Sequence, residues 1–118
     1  MTLDDKINQF IPNVGKHLHT AGYQAAIIGK WHLGEGHGHQ PSGFDYWSVV
    51  PGQGDYFDPE FHEMGKSVLE QGYVTDIITD KSIEYIKKRN KEKPFFHMCH
   101  HKAPHRSWEA HLDHRGLY

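Results

Sequence analysis

Gly22-Tyr23-Gln24-Ala25-Ala26-Ile27-Ile28-Gly29-Lys30-Trp31-His32-Leu33-Gly34 is the stretch on which the fold turns. Ala25 to Ile28 is an apolar run bounded by Gly22 and Gly29, too short for a helix and suited to a buried strand. Beyond it the side chains change at once to a cation, an indole, an imidazole and a glycine. In open α/β sheets, ligands bind outside the carboxyl ends of the strands. Lys30 and His32 are two apart, so an extended backbone points both the same way. That spacing aims two anion-binding donors at one point. A pair of solvated side chains after a strand is the competing reading.

Working outward, Ile7 to Ala21 is expected to be a helix, with Pro12 in its first turn and Val14, Leu18 and Ala21 at helical spacing. Gly22 ends it. Gly34 to Gly43 alternates glycine with polar residues and is loop. His37 and His39 in that loop have no partner pair at metal-ligand spacing, so they read as solvated. Phe44 to Val50 suits a strand, and Pro51 to Pro59 is loop with turn chemistry throughout. There Gln53, Asp55 and Tyr56 are either contacts for a polar substrate such as a sugar or plain surface. Thr75 to Arg89 reads as the clearest helix, capped by Thr75 or Asp76 and ending on Lys87-Lys88-Arg89. Its expected inner face is Thr79, Ile83 and Ile86, with Tyr85 beside it. Pro94 breaks the helix, and Phe95 to Cys99 is a second strand running into His100-His101-Lys102-Ala103-Pro104-His105.

Helix, strand and basic loop therefore occur twice. If the helix between the strands serves as a crossover, the strands are parallel and both loops leave the same edge. Lys30, His32 and His105 then converge. Lysine and imidazoles together suit a tetrahedral oxyanion such as sulfate or phosphate, and histidine also moves protons near neutral pH.

The chain has 118 residues, room for one modest domain, and its 36% hydrophobic content is low for a self-sufficient globule. With a net charge of -2, no groove for nucleic acid and no membrane-surface patch is implied. No transmembrane span is expected, and the opening Met1-Thr2-Leu3-Asp4-Asp5 is unlike a signal peptide. Cys99 is the one cysteine, so no internal disulfide forms and no compartment follows. Twelve histidines make the charge strongly dependent on pH between 7 and 5.

Gly29-Lys30-Trp31-His32-Leu33-Gly34 resembles the second signature of the formylglycine-dependent sulfatases. Companions agree in order: Gly43-Phe44-Asp45-Tyr46-Trp47, Gly54-Asp55-Tyr56-Phe57, Gly72-Tyr73-Val74-Thr75-Asp76, Lys93-Pro94-Phe95-Phe96 and His101-Lys102-Ala103-Pro104-His105-Arg106. Together they look like the branch of glucosamine-6-sulfatases and bacterial glycan sulfatases. The resemblance implies an alkaline-phosphatase-like α/β fold with a mostly parallel sheet, incomplete in this chain. It implies hydrolysis of sulfate esters on a sulfated carbohydrate, with calcium and formylglycine as cofactors. On that basis Lys30 holds a sulfate oxygen, His32 contacts the formylglycine hydroxyl, and His105 binds sulfate and protonates the leaving oxygen. Lys102 lies in the motif without an assigned role in the chemistry. Relatives of this kind are often periplasmic, secreted or lysosomal; this sequence fixes no location.

The departures locate the chain within such an enzyme. The family's nucleophile signature, Cys/Ser-x-Pro-x-Arg, is absent, because Cys99 is followed by His100 and His101. Asp4-Asp5 has no apolar strand before it and does not qualify as the family's metal-binding pair. Ala25 replaces the hydroxyl residue of the second signature, a small change. The chain is thus expected to be an internal part of the catalytic domain, residues 1–118, that needs the remainder of the domain. Two alternatives are a phosphate or phosphonate ester hydrolase of the same superfamily and a histidine-rich metal-binding protein. The latter rests on His97-His101 and His101-His105 at i, i+4.

Overall fold

The computed structural model describes residues 10–34 and 39–117. The sequence readings at Asp4, Asp5, Ile7 and His37 lie outside the described residues. In chain order the elements are α1 (Val14–Thr20), β1 (Gln24–Lys30), β2 (Tyr46–Val50), β3 (Glu60–Glu63), β4 (Lys66–Leu69), α2 (Val74–Lys88) and β5 (Phe95–His100). A single 3-10 turn, Leu112–His114, follows.

The strands form one sheet in the order β4-β3-β2-β1-β5. β1 sits between β2 and β5 and runs parallel to both. Ala26 opposite Tyr46 and Lys30 opposite Val50 set the register with β2; Gln24 opposite Phe95 and Gly29 opposite His100 set it with β5. The parallel arrangement expected of β1 and β5 is therefore present, with α2 in the connection between them. β3 and β4 are an antiparallel hairpin added beyond β2, and they make the sheet mixed.

Alternate side chains of the sheet feed two cores. One holds Ile28, Val50, Tyr56 and Phe61 against Val74 and Ile78 of α2. The other holds Ile27, Trp47 and Val49, with Trp31, Phe44 and Met98 against them. Each fully buried aliphatic or aromatic side chain contributes roughly 1.5–3 kcal/mol. β1 is buried on both faces, which explains why it reads as an uninterrupted apolar run.

Both helices differ in detail from expectation. α1 begins after Pro12, because the Asn13 side chain accepts from the Lys16 backbone N–H at 3.0 Å and caps the helix there. α2 starts at Val74, and neither Thr75 nor Asp76 caps it. Instead the Tyr56 carbonyl accepts from the Val74 N–H at 2.8 Å, satisfying one orphan donor from another part of the chain. Its inward face is Val74, Ile78 and Ser82, whereas Ile83 is exposed. Tertiary docking rotated the helix about one position from the face chosen on apolarity.

At Gly29 the backbone of β5 comes close to β1. Its φ is +113°, and a Cβ there would lie 1.9 Å from the His100 carbonyl oxygen. Only a residue without a side chain fits.

Candidate active site

The carboxyl ends of β1, β2 and β5 are level, so the three loops that follow emerge side by side. The His100 ring, through Nδ1, contacts the Lys30 carbonyl at 3.1 Å and fastens the exit of β5 to the exit of β1. Gln53, in the loop after β2, joins the other two. Its side-chain Nε2 lies 3.3 Å from His32 Nδ1 and 3.4 Å from His32 Nε2. Its main-chain carbonyl accepts from Lys102 Nζ at 3.0 Å. The backbone N–H of His105 in turn donates to the Lys102 carbonyl at 3.0 Å, and the Tyr56 hydroxyl donates to the His105 carbonyl. Lys30, at the end of β1, and His32 and His105, on the loops after β1 and β5, thus stand at a single edge where the loops are hydrogen-bonded to one another.

The reason given for the direction of His32 does not hold. β1 ends at Lys30, and His32 has φ +50°, so the backbone is not extended through that residue. A non-glycine residue in the left-handed region costs about 1–3 kcal/mol and persists only where its surroundings impose it. Trp31 supplies part of that constraint by donating from Nε1 to the His39 carbonyl at 2.9 Å.

Lys102 is more prominent than the sequence suggested. It is only 6% exposed, and its ammonium lies 4.7 Å above the centre of the Tyr56 ring. Burial first, and the charge of Lys30 second, hold its pKa below the usual lysine range, while Asp55 and Glu109 pull the other way. Two lysine ammoniums that repel each other at one sheet edge form a site that an anion would relieve. Burial pushes the Tyr56 hydroxyl up, so it remains a proton donor to the His105 loop. Of the three loop residues offered as sugar contacts, Gln53 and Tyr56 are turned to internal bonds and Asp55 is exposed.

A depression of about 290 Å³ lies beside these loops, lined by Pro51, Gln53, Gly54, Asp55 and Glu60. A larger groove of about 510 Å³ lies at the opposite, amino edge of the sheet, among Gln24, Asp45, Tyr46, Glu63, Lys81 and Tyr85. Its Lys81 is already paired with Glu63 and Glu70, both at 3.1 Å, so that groove concentrates no uncompensated cation from it.

The described residues do not fit calcium or formylglycine. Among the described residues, no three His, Cys, Asp or Glu side chains gather as a metal site. Cys99 is exposed on β5, with Ser82 Oγ at 3.5 Å and His101 Nε2 at 3.7 Å. The helical spacing invoked for a histidine-rich metal binder also fails, because Phe95–His100 is a strand. His97 lies beside Tyr85, 5.4 Å between ring centres, and burial holds its imidazole below the usual pKa. Among the described residues no helix is long and apolar enough to cross a membrane.

A mixed α/β sheet with basic loops crowded at one edge has the donors to hold an oxyanion, and comparison with known proteins makes the family definite. Residues 1–114 match the sulfatase family model, and the chain belongs to that family. It is 53% identical over 106 residues to the N-acetylglucosamine-6-O-sulfatase of Bacteroides thetaiotaomicron, covering 87% of this chain and 18% of that protein. It is 30% identical over 101 residues to the N-acetylglucosamine-6-sulfatase of Capra hircus, covering 75% of this chain and 18% of that protein. Among solved structures, one determined in complex with its substrate D-glucosamine-2-N,6-O-disulfate superposes with a TM-score of 0.91. It is 48% identical, over 98% of this chain and 23% of that one. The chain is part of an alkaline-phosphatase-like α/β architecture, and it spans about a fifth of the length of these relatives.

Proposed function

We propose that this chain is the substrate-side portion of a sulfatase catalytic domain that hydrolyses sulfate esters on a sulfated amino sugar within a glycan. The observation that carries this reading is the crowding of Lys30 and the buried Lys102 on loops joined to His32 and His105. Lys30 neutralises a sulfate oxygen. His105 binds the same group and supplies a proton to the departing alcohol oxygen. His32 exchanges a proton at the opposite end of the anion. The remainder of the domain would supply calcium and formylglycine, since the sequence has no Cys-x-Pro-x-Arg run and the described residues hold no metal-ligand cluster. The sugar class follows the similarity to the two N-acetylglucosamine 6-sulfatases.

The test uses the complete domain that carries this segment. Lys30→Ala is expected to reduce hydrolysis of a 6-O-sulfated glucosamine by at least 10²-fold, as loss of an electrostatic donor to the transition state does. The purified 118-residue chain is expected to turn over no aryl sulfate. Efficient hydrolysis by the short chain would refute the proposal, and so would a complete enzyme that prefers the phosphate ester.

A further inference from the structure

We infer that Gln53 is the positioning residue of this site, holding the His32 ring through its side chain and the Lys102 ammonium through its main chain. The inference rests on the sulfatase reading above and adds to it a residue from a loop that carries none of the three assigned anion-binding groups.

Three observations converge. First, Gln53 makes both contacts, to His32 at 3.3 and 3.4 Å and to Lys102 Nζ at 3.0 Å. Second, strand geometry does not orient His32, because β1 has ended and the backbone is left-handed at that residue. Something outside the strand must fix the ring, and the Gln53 amide lies against it. Third, Gln53 Oε1 is buried and has no hydrogen-bond partner. A buried amide oxygen left unpaired costs about 1–3 kcal/mol. Its retention beside the site is explained if the amide is kept there for the ring.

The loop that carries Gln53 is itself fixed. Gly54 N–H donates to the Pro51 carbonyl at 3.0 Å, and a Cβ on Gly54 would lie 2.9 Å from Val50 Cγ2. The turn is therefore packed onto the end of β2. Because the Lys102 contact uses the main-chain carbonyl, any side chain at this position leaves it intact. The His32 contact depends on the amide alone. Substitution at this position consequently separates the two functions.

The experiment compares Gln53→Met and Gln53→Glu with the unaltered complete domain. Methionine keeps length and packing and removes hydrogen bonding; glutamate replaces the Nε2 donor that faces the ring by an oxygen, which accepts from whichever ring nitrogen carries a proton. Gln53→Met is expected to lower kcat by about 10- to 100-fold, the range for loss of an orienting partner. KM should change by less than about threefold, as for loss of an interaction made in the transition state. Gln53→Glu is expected to recover a clear share of kcat. Crystal structures of the variants provide a readout that needs no activity: the His32 ring should turn away in Gln53→Met and return in Gln53→Glu. A Gln53→Met enzyme with unchanged kcat and an unmoved ring overturns the inference and leaves the sulfatase reading intact. An unaltered complete domain that hydrolyses no sulfate ester overturns the reading, and the ring positions then decide the role of Gln53 alone.

Discussion

Replacing Gly29 by alanine is the sharpest perturbation the fold offers. The new Cβ would lie 1.9 Å from the His100 carbonyl oxygen and 2.7 Å from its carbon, both main-chain atoms. Reaching ordinary van der Waals separation requires β1 and β5 to part by about 1.5 Å. The φ of +113° adds strain of about 1–3 kcal/mol. Forced overpacking adds about 1–3 kcal/mol more. The expected loss is thus roughly 2–6 kcal/mol of stability. Gly22→Ala is the matched control: its φ is +87°, but nothing lies within 4 Å of the added carbon, so only strain remains. Gly29 also immediately precedes Lys30, and His100 binds the Lys30 carbonyl. Separating the strands therefore moves Lys30 away from the Lys102 loop. Displacement of about 1 Å in a catalytic arrangement costs on the order of 100-fold in rate. Urea unfolding and sulfate-ester hydrolysis are measured on the complete domain with each substitution. Equal unfolding midpoints for Gly29→Ala and Gly22→Ala, with activity within threefold, would refute the close-approach argument.

Other substitutions probe the remaining supports. Lys102 has a depressed folded-state pKa, so between that value and the ordinary 10.5 the unfolded chain binds more protons and stability should rise with pH. Lys102→Met is expected to abolish that rise in pH-dependent melting. Burial pushes Glu63 up, but the Tyr46 hydroxyl and the Lys81 ammonium together hold it below 4.5. Its contribution is present above 4.5 and lost as pH falls through the lowered value. Lys81→Met should cost about 1.5–3 kcal/mol, the range for hydrogen bonds to charged groups, and should move acid unfolding to higher pH. Tyr56→Phe leaves the His105 carbonyl without this donor and should cost about 1–3 kcal/mol, with a parallel fall in activity.

The sequence disclosed elements whose burial gives a simple pattern. β1 is apolar from Ala25 to Ile28 because both its faces are covered, and β5 announces itself after Pro94. The hairpin of β3 and β4 was not foreseen for the opposite reason. Phe61 is its only fully buried strand residue, and β4 is largely exposed. Its turn, Met64-Gly65, has φ of +46° and +88°, the two positive values of a tight hairpin, but methionine stands where asparagine or aspartate would have signalled it. The shared edge of the segments that carry Lys30, His32 and His105 was legible because parallel strands bring their exits together. Gln53 and Lys102 were harder to weigh. Glutamine in a glycine-rich loop resembles any solvated residue, and nothing local tells that Lys102 is covered by Tyr56 and the loop after β2.

The order of strands in the sheet has a consequence for biosynthesis. β5 lies beside β1 in space but joins it only after the hairpin and α2 have intervened in the chain. Such distant pairing is slow because a long loop must close before any contact rewards it. While β5 is still inside the ribosomal tunnel, the Lys30 loop lacks the neighbours that bring Lys102 and His105 to it. The loops carrying Lys30 and Lys102 are therefore brought together late, in the step that zips β5 onto β1.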